Sequence, residues 1–80
     1  MSCEGVINIT LNLKNEKSIE IEDIKEILIK PGKDLDIQTI KENFEIMIYD
    51  EYKYLFKSSY TSIFINGKDI EYMEIFKCPF

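Results

Sequence analysis

Eighty residues, 45% of them hydrophobic, with a formal charge of −5, fill one domain, 1–80, and are too apolar for a disordered chain. Every basic residue is Lys. With His and Arg missing, no side chain titrates near neutrality unperturbed and no guanidinium fork is offered to phosphate. The pI is about 4.6 and the lysines are interspersed with acids, so direct nucleic-acid binding is not expected.

GVINITLNLK alternates, with Ile7, Ile9, Leu11 and Leu13 on one face and Asn8, Thr10 and Asn12 on the other, which predicts a half-buried strand. NEK at 15–17 is a polar turn, and SIEIE alternates again with Ile19 and Ile21 inward. An antiparallel hairpin follows, its outer face carrying Glu20 and Glu22. DIKEILIK reads as one or two helical turns, because Asp23 and Glu26 resemble a capping box and Ile24, Ile27 and Leu28 share a helical face; a continued strand is the alternative. Pro31-Gly32 stops either one.

After that break Asp34 and Asp36 offer N-caps. Ile37, Ile40, Phe44, Met47, Ile48, Tyr52 and Leu55 then follow a helical ladder with one miss, at Glu51. The spacing predicts one helix over 36–56, about 30 Å long at 1.5 Å per residue. The competing hairpin would turn at Asp50-Glu51, where no Gly or Asn supplies the positive φ of a tight hairpin turn. KSSYTS at 57–62 is a connecting loop. Asn66-Gly67, set between β-rich runs, suits a type I′ turn, and Ile70, Tyr72, Glu74 and Phe76 alternate with Glu71, Met73, Ile75 and Lys77 in a last strand. Both faces of that strand are partly apolar, which suggests a central position or a covered face. The expected fold is α+β, in the order β-β-α-β-β, with one long helix packed on a small antiparallel sheet.

Catalytic equipment is not visible. Ser58-Ser59 has no base to activate it, and Glu71 and Glu74 point to opposite faces of their strand. Gly67-Lys68 lacks a phosphate loop's other glycines. Residues 34–45 follow a calcium-loop pattern except that Thr39 replaces its required glycine, and helix capping explains the same carboxylates. No enzyme activity, cofactor or metal is therefore expected. Cys3 and Cys78 lack the C-x-x-C spacing and read as free thiols of a cytosolic protein. Neither a secretory start nor an apolar stretch long enough to span a bilayer is present, so a cytoplasmic location is expected, the host's cytoplasm if the chain is viral.

What remains is protein binding. On the helical model Tyr49, Tyr54 and Phe56 project outward, and tyrosine-rich patches favour interfaces. With the acids Glu20, Glu22, Asp50, Glu51, Asp69, Glu71 and Glu74 they make a surface fit for the basic groove of a larger protein. The expected role is an inhibitor or regulator occupying a surface that otherwise holds nucleic acid, as phage-encoded anti-defence proteins of this size and charge do. In the order of its elements (hairpin, helix, then IFINGKDI) the chain also resembles the ubiquitin-like β-grasp folds, which implies an interaction module. It ends in KCPF rather than Gly-Gly, which argues against conjugation. A third reading is a self-associating subunit, so the chain is expected as a monomer or a homodimer.

Overall fold

The computed structural model describes residues 6–32 and 36–77. Seven strands run through them: β1 (Ile7–Leu13), β2 (Ser18–Ile21), β3 (Ile24–Lys30), β4 (Gln38–Ile40), β5 (Lys53–Ser58), β6 (Ser62–Asn66) and β7 (Ile70–Lys77). They form two antiparallel sheets, ordered β2-β1-β7 and β4-β3-β5-β6. The apolar faces of both sheets contribute to one core: Ile9, Leu11 and Ile21 from the first, Ile27, Ile29, Tyr54 and Phe56 from the second, with Ile24, Phe44 and Ile70 beside them.

The first sheet follows directly from period-two alternation. Ile9 lies opposite both Ile21 and Ile75, and Leu11 opposite both Ile19 and Met73. The β1–β2 turn is closed by Leu13 N–H on the Lys17 carbonyl at 2.8 Å and by Lys17 N–H on Asn15 Oδ1 at 3.1 Å. Glu16 there takes a φ of 71°.

The expected long helix is not formed. Among the described residues the only helical piece is a 3-10 turn, Gly67–Asp69, so the fold is a two-sheet β fold rather than α+β. Segment 36–56 instead gives β4, an extended passage and the start of β5. Two members of the expected buried stripe, Ile37 and Met47, are exposed, while the off-stripe Tyr54 and Phe56 are fully buried. Period two governs β5: Tyr54 and Phe56 face Ile29 and Ile27 of β3, and Ile65 and Ile63 of β6. The ladder of threes and fours arose because apolar residues are so dense here that several periods fit them. The Asp50-Glu51 turn does exist, closed by Tyr52 N–H on the Tyr49 carbonyl at 3.1 Å. Neither residue takes a positive φ, so the objection drawn from tight hairpins does not apply to this ordinary turn. With the helix goes the ubiquitin-like outline, which depended on it.

The helical reading of DIKEILIK fails for a similar reason. The β3–β5 register shifts between Ile24 and Glu26. The extra residue lets Ile24 and Ile27, three apart, both face the core, so a bulged strand imitates helical spacing. KSSYTS supplies the end of β5, a turn and the start of β6. The Ser58 hydroxyl bonds the Thr61 carbonyl at 3.1 Å and accepts the Tyr60 and Thr61 N–H groups.

Two crossings join the sheets. Asn66-Gly67 does not close a hairpin: β6 belongs to the second sheet and β7 to the first, and the 3-10 turn carries the chain between them. At the other crossing Asp23 takes a φ of 55°, and its N–H donates to Asn8 Oδ1 at 2.9 Å. Its carboxylate accepts the Ser59 hydroxyl at 2.6 Å and lies 3.2 Å from Lys25 Nζ. These two partners, Ser59 first, hold its pKa below the ordinary 3.8. A carboxyl whose pKa is lowered on folding stabilises the fold above its unfolded pKa. That contribution is lost as pH falls through the folded value. Asp23→Asn retains a residue at ease with positive φ but has no such charge to lose. Its urea midpoint is expected to drop less than the wild type's between about pH 6 and pH 3. Equal drops would show that Asp23 does not contribute to acid sensitivity.

Candidate partner-binding surface

The outward residues of the first sheet are Ser18 and Glu20 on β2, Asn8, Thr10 and Asn12 on β1, and Tyr72, Glu74 and Phe76 on β7. Their placement follows from the inward set and the register. Thr10 lies opposite Glu20 on one side and Glu74 on the other. The two carboxylates therefore share a face, their backbones two strand spacings or roughly 10 Å apart. Asn12 Nδ2 donates to Glu74 Oε1 at 2.9 Å, fixing that carboxylate over β1. Glu22, just past β2, joins Glu20, Asn8, Thr10 and Phe76 in lining one shallow groove. No lysine of β1, β2 or β7 points to this face among the described residues; Lys77, inward in register and itself exposed, pairs with Glu45 at 3.8 Å.

Two exposed aromatics flank the acids. Tyr72 lies opposite Asn12 and Phe76 opposite Asn8, each two residues from Glu74. They are 53% and 52% exposed. The alternation of the last strand already marked both as a second apolar face. The face is uncovered among the described residues because β7 pairs with β1 alone, at the end of its sheet.

The remaining expected residues fall elsewhere. Tyr54 and Phe56 are core, so they offer nothing to a partner. Tyr54's hydroxyl donates to the Met47 carbonyl and accepts the Tyr49 N–H, both at 2.9 Å, and burial pushes its pKa up. Tyr49, Asp50 and Glu51 occupy the turn before β5, where Tyr49 packs on Tyr52 with ring centroids 4.9 Å apart. This end of the molecule is mixed in charge. Asp50 lies 3.6 Å from Lys14 Nζ, and Asp50 and Glu51 share a cleft with Lys53 and Lys68. Asp69 sits in the 3-10 turn and accepts the Lys14 N–H on its carbonyl at 3.1 Å. Glu71 lies in the β1–β7 register shift and is exposed. The ten expected residues thus divide among an acidic sheet face, a mixed-charge end and the core.

No three acidic, His or Cys side chains are gathered as metal ligands among the described residues, and no helix there is long and apolar enough to cross a membrane. Cys3, Cys78 and Asp34 lie outside the described residues. No protein-family model, curated protein or solved structure gives a significant match to this chain.

Proposed function

We propose that the chain is a small protein-binding module that inhibits or regulates a larger protein by covering a basic surface, one that otherwise holds nucleic acid. The observation that carries this reading is the outer face of the first sheet, where Glu20, Glu22 and Glu74 stand without a lysine and Tyr72 and Phe76 rise beside them. A field of one sign steers a basic partner and selects it, and half-exposed aromatic rings supply anchors that lose little side-chain entropy on docking. No step of chemistry is assigned to the module.

The test places a photo-crosslinking amino acid at position 72 or 76 of the full chain, expressed in its native host. One larger basic protein is expected to be captured. Capture should fall about tenfold or more in a Glu20→Lys, Glu74→Lys background, and again as salt is raised. A purified partner should release its nucleic acid when the chain is added. Equal capture by the charge-reversed chain would remove the acidic face from the account.

A further inference from the structure

The outer face of the second sheet is the electrical opposite of the first. Its residues lie in three cross-strand rows. Lys30, Lys53 and Asn66 form one; Leu28, Leu55 and Phe64 form the next; Glu26, Lys57 and Ser62 form the third. In the third row Lys57 pairs with Glu26 at 3.6 Å. In the first, Lys30 and Lys53 stand directly opposite each other, an arrangement that repels across a ladder. The middle row is apolar and ends in Phe64, 64% exposed. An anionic surface bearing aromatic rings would relieve the repulsion and cover the apolar row together.

The chain itself carries such a surface. We infer that the acidic face of one copy docks on the Lys30–Lys53 face of a second copy, so that copies stack sheet on sheet. This inference rests on the reading of the acidic face as a docking surface, and it names a further partner for it. The spacing matches because both surfaces are β-sheets. On the first sheet the Glu20–Thr10–Glu74 row is two residues, roughly 6.6 Å, from Tyr72 or Phe76; on the second the lysine row is the same two residues from Leu28, Leu55 and Phe64. Setting acids on lysines therefore sets an aromatic ring on the apolar row. The two surfaces differ, so the contact is heterologous and leaves a free face at each end of the stack. A face three strands wide and seven residues long covers roughly 300 Å² in projection. That is below the roughly 800 Å² per partner of a standard interface, so the stack forms only at high concentration.

Sedimentation of the full chain at low ionic strength tests this, from about 20 µM to about 1 mM, the range that a weak interface requires. The weight-average mass is expected to rise from 9.5 kDa past twice that value. Glu20→Lys with Glu74→Lys disables one face, and Lys53→Ala with Phe64→Ala disables the other. Each double variant alone is expected to stay at 9.5 kDa throughout, while their equimolar mixture gives a complex of about 19 kDa and nothing larger, since each supplies the face the other lacks. If the charge reversal fails to fold by circular dichroism, Thr10→Lys, in the same row, repeats that arm. A wild type that remains monomeric at the top concentration overturns the inference, as does one that stops at a dimer or a mixture that forms no complex. A monomeric wild type that still captures a larger protein through position 72 or 76 overturns stacking and leaves the proposed function standing. Stacking without capture does the reverse.

Discussion

Phe56→Ala is expected to lose about 3–5 kcal/mol of stability, the usual cost of truncating a buried phenylalanine. The ring is fully buried between Ile27 of β3 and Ile63 of β6, and stacks on Tyr54 with centroids 6.2 Å apart. The alanine would leave a void at the centre of the second sheet's inner face. At roughly 0.05–0.15 kcal/mol per residue a chain of this length has only about 4–12 kcal/mol in total, so the variant is largely unfolded near the lower figure. Urea unfolding followed by circular dichroism measures the loss. Phe76→Ala, on the acidic face, is the comparison and should stay within about 0.5 kcal/mol of wild type. A folded Phe56→Ala of unchanged midpoint that had lost only its partner would return Phe56 to the docking surface.

Gly67→Ala is expected to cost about 3 kcal/mol, although the change adds a single methyl group. A Cβ at position 67 would lie 2.0 Å from the Tyr49 carbonyl oxygen and 3.0 Å from both the Tyr49 carbonyl carbon and the Tyr52 oxygen. These are backbone atoms of a closed turn, not the end of a flexible side chain. Gly67 N–H also donates to the Tyr52 carbonyl at 2.8 Å, so moving the turn away breaks the bond that joins it to the sheet crossing. The melting temperature should fall by roughly 15 °C, taking about 4–8 °C per kcal/mol for a domain of this size. A fall of less than about 4 °C would mean that the turn yields freely. The glycine is thus required by close approach rather than by a left-handed backbone, which is why the Asn66-Gly67 dipeptide marked a change of direction correctly and its kind wrongly.

The acidic sheet face was partly legible. Glu20 and Glu22 were placed together by alternation alone, and Glu74 and Phe76 by the same rule on the last strand. That Glu74 faces the same way as Glu20 was not legible, because it depends on β7 pairing with β1 across more than fifty residues. Tyr54 and Phe56 were misplaced because a one-residue error of periodicity moves a side chain from core to solvent. Their neighbours Leu55 and Lys57 are the residues that point outward.

The sequence by itself determined the alternating strands at either end of the domain and the inward set Ile7, Ile9, Leu11, Leu13, Ile19 and Ile21, because side-chain alternation is a local property of an extended backbone. Tertiary structure alone decided that 36–56 is extended, that Ile24 and Ile27 are buried across a bulge, and that the crossings at Asp23 and Gly67 divide seven strands between two sheets. Those outcomes turn on which distant strand supplies the next hydrogen-bond ladder and which opposing sheet covers the apolar face. Neither leaves a periodic mark in any short window of residues.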